Sequence, residues 1–288
     1  MTTDHHRGIL TQYSAEVGTA FYRTVMGDGA PVIHYGIYEE PSTSMQQATE
    51  NATRRLLEIA LRKSGTFPPK EIIDLGSGPG GSAHFLAQQT AATVTCADLC
   101  AHHHRENETL AAVLGLADRI RTWTGSFEKM PDEWGGQFDL AWSQEALCHA
   151  ADKAAALREI RRVLRPGGVL VFSDILLSET APAREAEAFT KVNALSSWST
   201  ARDHLRDLAE AGFTETEHID WTPHLGENFR RMRSQIDAYR DQLLSQGVPS
   251  ALLESFATSL DQRLAWREGS VLEWGAFCVM RRRDLKSL

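Results

Sequence analysis

The sequence predicts an α/β fold: a doubly wound, Rossmann-like sheet of seven strands with the last one antiparallel, an N-terminal helical cap, and a helical insertion before the last strand. Three observations carry this expectation. Strand and helix signals alternate from Glu71 onward, the pattern of a parallel sheet with helices on both faces. The first strand runs through a glycine turn into a helix, Glu71-Ile-Ile-Asp74-Leu-Gly76-Ser-Gly78-Pro-Gly80-Gly81, as nucleotide-type cofactor sites do. The stretch Pro223 to Gly269 reads as helical and charged where such a sheet needs only a short link.

Taken in order, residues 1–70 form a mostly helical cap belonging to the same domain as the core at 71–288, with a ring cluster of Tyr13, Phe21, Tyr22, His34, Tyr35 and Tyr38. The glycine turn leads into a helix from Ser82 to Gln89, and Thr93 to Asp98 is the second strand. A helix around Glu106 to Leu116 precedes strand three, Arg119 to Thr124, and Phe138 to Ser143 is strand four. A helix from Lys153 to Leu164 stops at the breaker Arg165-Pro-Gly-Gly168, and Val169 to Asp174 is strand five. Ser199 to Ala211 is a helix capped by Ser199 or Thr200 and ended by Gly212. Phe213 to Trp221 and Glu273 to Arg282 are strands six and seven, flanking the insertion at about 223–269, which is interrupted at Gly247-Val-Pro249. Cap and insertion together are expected to roof the site.

The turn fits two cofactor classes by spacing. Gly76, Gly78 and Gly81 satisfy the dinucleotide pattern G-x-G-x-x-G, while Gly76, Gly78 and Gly80 satisfy the G-x-G-x-G of S-adenosylmethionine (SAM) sites. Context favours SAM. Pro79 removes a donor that a pyrophosphate needs, and Asp74 sets a carboxylate where SAM presents its ammonium group. The turn also lies about 70 residues into the chain, whereas a dinucleotide fingerprint often opens its domain. Asp98, ending strand two, is placed to grip ribose hydroxyls, or to cap the helix beginning near Ala101; one acid can do both.

A formal charge of −8 argues against a nucleic-acid partner and for a small substrate. Cys96, Cys100, Cys148 and Cys278 show no disulfide-framework spacing, which fits a cytoplasmic setting. No segment has the roughly 18 uninterrupted apolar residues that span a bilayer, so no membrane partner is expected. The triplet His102-His103-His104, with Cys100 near it and His5-His6 upstream, is read as a solvated helix start rather than a metal site, because adjacent helical side chains point about 100° apart.

Phe21-Tyr22 with Gly27, Ile33-His34-Tyr-Gly36-Ile-Tyr38, Asp74-Leu-Gly-Ser-Gly-Pro-Gly-Gly81, Gly125-Ser-Phe-Glu128, Trp142-Ser-Gln-Glu-Ala146 with His149, Val163-Leu-Arg-Pro-Gly-Gly168 and Trp274-Gly-Ala form a pattern that runs almost end to end. It resembles class I SAM-dependent methyltransferases, and most of all the sarcosine/dimethylglycine N-methyltransferases that make glycine betaine. The resemblance implies methyl transfer to a small amine, with Tyr22, His34 and Tyr38 facing the sulfonium or the acceptor. The chain departs from that subfamily after strand five, where Asp174 is followed by Ile175 rather than proline, and in Asn193 to Thr200. A larger natural-product or prenyl-type acceptor, or a SAM-binding protein that transfers no methyl, are the alternatives this leaves; an NAD-dependent oxidoreductase is a third.

Methyl transfer needs an aligned nucleophile and no covalent intermediate, but an ammonium, hydroxyl or carbon acceptor must first lose a proton. His149 and Glu145, just past strand four, are the candidate bases, against structural roles for each. Leu99 is expected beside the adenine, Ser126 and Phe127 against its ring after strand three, and Gln144 in the methyl-donor pocket. Lys191 or Arg202 is the nearest sequence candidate to pair an acceptor carboxylate, although a solvated helix face explains either.

Overall fold

The computed structural model describes residues 16–63, 68–192 and 197–282. Tyr13, His5, His6 and residues 193–196, on which expectations were placed above, lie outside them.

The alternation of apolar runs and helical periods folds as expected into one seven-stranded sheet. In chain order the described elements are α1 (Glu16–Gly27), α2 (Met45–Lys63), β1 (Glu71–Leu75), α3 (Gly81–Thr90), β2 (Thr93–Asp98), α4 (Ala101–Val113), β3 (Ile120–Thr124), β4 (Phe138–Gln144), α5 (Lys153–Val163), β5 (Leu164–Leu177), α6 (Ala183–Val192), α7 (Ala201–Glu210), β6 (Phe213–Asp220), α8 (Thr222–Ala238), α9 (Arg240–Ser245), α10 (Ser250–Glu268) and β7 (Leu272–Arg281). The strand order is β3-β2-β1-β4-β5-β7-β6. The pairs among β1 to β5 are parallel, whereas β7 runs antiparallel to both β5 and β6. The order reverses between β1 and β4, which opens a crevice at their carboxyl ends.

Two apolar layers hold the sheet. Ile72, Val94, Leu140, Trp142 and Trp274 face α2, α3 and α8, while Ile73, Leu75, Phe172 and Phe277 face the side of α5 and α7, with Ile160 and Leu208. Successive residues of a strand point to opposite faces, so each central strand serves both layers.

One boundary differs from the sequence expectation and two are decided between readings that the sequence left open, each for a local reason. The segment Arg165-Pro-Gly-Gly168 is part of β5: Phe138 pairs with Leu164 and Leu140 with Val169, so the extra residues form an irregularity within the strand. Gly167 adopts φ 82°, and a Cβ on Gly168 would stand 2.8 Å from the Arg165 carbonyl oxygen. Of the two helix starts read from the sequence, Ala101 and Glu106, α4 takes Ala101, and it ends before Gly115, whose φ of 70° reverses the chain. At α7 it is Thr200 that caps, its hydroxyl accepting from the Asp203 N–H in a reciprocal capping box, whereas the Ser199 hydroxyl accepts from Lys153 Nζ at 2.6 Å.

Candidate active site

The crevice holds two adjoining recesses, one of about 790 Å³ and one of about 320 Å³, which share Ile33, Gly76, Gly78 and Gln144. The smaller is closed by Pro31 to His34 on one side and by Asp74, Ser77 and Ser82 on the other. Asp74 ends up buried there because it is the fourth residue of a strand paired on both sides, with Cys96 and with Trp142. Its Oδ2 has no hydrogen-bond partner. Burial, helped by the nearby Asp98 charge, pushes its carboxyl up to about 8, so it lacks the cation that would hold it ionised.

The turn after β1 is shaped by its glycines. Gly76 has φ 72°, and a Cβ on it would lie 2.4 Å from that of Ala146. Gly78 has φ 53°, and the space a Cβ would occupy is open, so bare backbone faces the recess. The Gly78 N–H donates to Asp98 Oδ2 at 2.8 Å and the Cys100 N–H to Oδ1 at 2.7 Å, fixing this acid at the mouth of the larger recess. Leu99, Cys100, His103, Ser126, Phe127 and Glu128 line it beside Asp98. A buried carboxyl with an unpartnered oxygen, a bare glycine turn and a carboxylate held by backbone N–H groups fit a ligand with an ammonium at one end and vicinal hydroxyls at the other.

Gln144 stands where the recesses meet. Its Oε1 accepts from Ser82 Oγ at 2.7 Å, from Trp142 Nε1 at 3.2 Å and from Thr53 Oγ1 at 3.3 Å, which leaves its buried Nε2 without a partner. Glu145 follows in a left-handed conformation, φ 49°. Its Oε1 accepts from Ser173 Oγ at 2.7 Å and from Trp274 Nε1 at 2.8 Å, and its Oε2 from the Tyr35 N–H at 3.3 Å. Burial pushes its carboxyl up to about 7 against the pull of the Ser173 and Trp274 donors. Half-buried His149, ending a short 3-10 turn from Leu147, lines the larger recess with Glu145 and Ala146.

Comparison with known proteins agrees with this arrangement. Residues 73–172 match the family described as a methyltransferase domain. The chain is 32% identical over 277 residues to the dimethylglycine N-methyltransferase of Parasynechococcus marenigrum, covering 92% of each protein. The chain belongs to the methyltransferase family. It is also 28% identical over 263 residues to the glycine/sarcosine/dimethylglycine N-methyltransferase of Actinopolyspora halophila, and spans 91% of itself but only 45% of that longer protein. A solved structure described as a putative sarcosine dimethylglycine methyltransferase from Galdieria sulphuraria superposes with a TM-score of 0.83 at 23% identity, covering 92% of this chain and 98% of that one, which establishes the shared fold. The cofactor of this methyltransferase is SAM, and the two recesses suit its amino-acid and adenosine ends.

The methyltransferase brings together most, but not all, of the residues singled out in the sequence. Asp74, Gly76, Gly78, Asp98, Leu99, Ser126, Phe127, Gln144, Glu145 and His149 line one recess or both. Gly80 serves from behind: at φ 93° it packs on Asn107, whose side chain a Cβ would meet at 2.4 Å. His34 lines the smaller recess, and burial lowers its pKa to about 4, so it is neutral at physiological pH. Tyr22 does not reach either recess; its ring packs edge-on against Phe21 and Phe256 at centroid distances of 5.3 and 5.9 Å. Tyr38 also lies elsewhere, under the Arg231 guanidinium at 5.6 Å. Lys191 is exposed, and Arg202 faces solvent beside Glu179 at 3.6 Å, so neither borders a recess.

Several residues that shape the site had no role assigned from the sequence. Ser82 and Thr53 fix Gln144, Ser173 and Trp274 fix Glu145, and Asn228 of α8 holds Gly36. The Trp274-Gly-Ala segment and Glu145 both stood out in the sequence, but their pairing did not. Asn228 carries no signal, because its contact crosses 192 residues. Among the described residues no group of three or more His, Cys, Asp or Glu is arranged to hold a metal ion. The three adjacent histidines diverge, His102 toward Glu106 at 3.8 Å and His103 toward Asp98 at 3.5 Å, but the helix start is not solvated as expected: His103 and His104 are buried.

Proposed function

We propose that this methyltransferase alkylates the amine of a small amino-acid-derived acceptor, with sarcosine and dimethylglycine first in line. One observation supports the placement of the chemistry: the recesses that suit the two ends of SAM meet at Gln144, with Glu145 and His149 immediately beyond. Relatives named for dimethylglycine and sarcosine, at 32% and 28% identity, support the acceptor class. When bound, SAM supplies an electrophilic methyl group on a sulfonium.

In this reading Asp74 pairs with the cofactor's ammonium and Asp98 accepts from its ribose hydroxyls, while Leu99, Ser126 and Phe127 border the adenine. Gln144 turns its free N–H toward the methyl-donor end. His34, being neutral, sets no positive charge beside the reacting centre. A neutral tertiary amine needs only alignment, whereas an ammonium passes its proton to His149 before its lone pair takes the methyl group. Glu145, its oxygens engaged by three donors, orients the site rather than acting as the base. Residues 1–70 are assigned to the same domain as a cap over this crevice, and the setting to the cytoplasm, consistent with four buried, unpaired cysteines.

A second reading, a larger or more apolar acceptor, is favoured by the course of β5. It continues through Ile175 to Leu177, paired with Trp274 to Leu272, at the point where the sequence departs from the pattern it otherwise resembles. Mass spectrometry of products from SAM with glycine, sarcosine or dimethylglycine, following S-adenosylhomocysteine in parallel, separates the readings. A methylated amine formed over many turnovers supports the first. SAM binding with no product from any of the three rejects it in favour of the second or of a silent binder.

A further inference from the structure

We propose that His103 is a positioning residue for the cofactor's ribose: when the ribose binds, its Nδ1–H closes from 3.5 Å onto Asp98 Oδ1 and holds that carboxylate, as an acceptor, in the plane the ribose hydroxyls need. The inference rests on the reading of Asp98 as ribose ligand. His103 is the third residue of α4, is 3% exposed, and lines the larger recess. Its Nδ1 stands 3.5 Å from Asp98 Oδ1, and neither ring nitrogen makes a hydrogen bond. A buried imidazole with both nitrogens unsatisfied carries a desolvation cost that a contact with a carboxylate offsets.

The two acids of the crevice show what such a neighbour does. Asp74 is buried and feels the Asp98 charge. Asp74, without a donor on Oδ2, is pushed up to about 8. Burial acts on Asp98 in the same direction, but His103 and the Cys100 and Gly78 N–H groups outweigh it and hold Asp98 below the usual carboxylate range. A protonated carboxyl would offer a ribose one acceptor oxygen and one competing hydroxyl, whereas the carboxylate offers two acceptors. Two backbone donors grip Asp98 from the turn and from the start of α4, and His103 approaches from the flank of α4, so that three groups oppose rotation of the carboxylate.

The test is calorimetric titration of S-adenosylhomocysteine into the intact protein and its variants, which reads the adenosine site whatever the acceptor is. His103→Leu is expected to weaken binding roughly tenfold, the size of a charge-assisted hydrogen bond. His103→Asn, which keeps an N–H near the Nδ1 position, is expected to restore it to within about threefold on the same scale. Equal loss in both variants, or none in His103→Leu, overturns the proposal. Asp98→Asn separates it from its premise: unchanged affinity there removes the ribose reading, whereas weakened affinity there with normal His103→Leu removes His103 alone. Should His103→Leu not fold, nitrogen NMR of the wild-type imidazoles decides. A His103 Nδ1 resonance that becomes hydrogen-bonded on saturation with S-adenosylhomocysteine supports the proposal, and one that does not move overturns it.

Discussion

At the scale of single residues, the site is a set of acids whose burial is only partly compensated. Asp74, pushed up to about 8, carries its proton at pH 7 in the free protein. Its folded value lies above the ordinary 3.8, so pairing with an ammonium must bring it down, and binding SAM at pH 7 is predicted to release that proton. Calorimetry at pH 7 in buffers of different ionisation enthalpy checks this. Proton release in the wild type and none in Asp74→Asn is the expected pair of results, and a buffer-independent enthalpy in the wild type removes the ammonium role. The same proton makes SAM binding tighten as pH rises from 6 toward 7.5, below the range where the cofactor's own amino group titrates, about 7.7–8.0. Glu145 presents the other case, an acid whose oxygens meet three donors. Glu145→Gln turns one acceptor into a donor against them and is predicted to cost about 1–3 kcal/mol of stability. As a clamp it should lower the melting temperature and raise the SAM dissociation constant; a loss of kcat alone, with both unchanged, would restore it to the role of base.

At the scale of elements, the glycine turn divides into positions packed against the fold and one left open toward the recess. A Cβ at Gly76 collides with Ala146, and one at Gly80 with Asn107, so both are packing requirements between β1, α3, α4 and the end of β4. Gly78 meets nothing, although its φ of 53° also disfavours a side chain. Gly78→Ala is therefore predicted to cost only the left-handed penalty of roughly 1–2 kcal/mol while strongly weakening SAM binding. Gly76→Ala is predicted to cost more stability, because overpacking of 1–3 kcal/mol adds to that penalty. Thermal melts and SAM titrations of the two variants check the contrast; equal melting losses would refute the division.

At the scale of the whole molecule, the segment bordering the smaller recess is held by distant parts of the chain. The Gly36 N–H donates to Asn228 Oδ1 at 2.7 Å, and Asn228 Nδ2 donates to the Gly36 carbonyl at 2.8 Å, tying the segment to α8. The Ile37 N–H donates to the Ala48 carbonyl, and Asn51 Nδ2 to that of Ile37, tying it to α2. A Cβ on Gly36 would lie 2.6 Å from that of Ala48, which accounts for the glycine in Ile33-His34-Tyr-Gly36-Ile-Tyr38. Asn228→Ala leaves two buried backbone groups unpaired, and a loss of about 2 kcal/mol or more is expected. For a protein of this size that lowers the melting temperature by roughly 5 °C. SAM affinity should fall with it, since Pro31 to His34 wall the recess; a lowered melting temperature at unchanged affinity would show that α8 only stabilises the fold.

By itself the sequence determined the strand order's raw material, the glycine turn and the cofactor class, because these depend on local spacing: apolar period, turn chemistry, and an acid at each of two strand ends. It also marked Glu145 and His149 through their position after β4. Only the tertiary structure decided how such residues are placed. Tyr22 and Tyr38 look alike in the sequence as site aromatics, yet packing assigns one to Phe21 and Phe256 and the other to Arg231. Glu145 and His149 look alike as candidate bases, yet Ser173, Trp274 and the Tyr35 N–H converge on one of them from 28, 129 and 110 residues away. Burial and hydrogen-bond saturation are sums over neighbours brought in by the whole fold, and no local pattern encodes those neighbours.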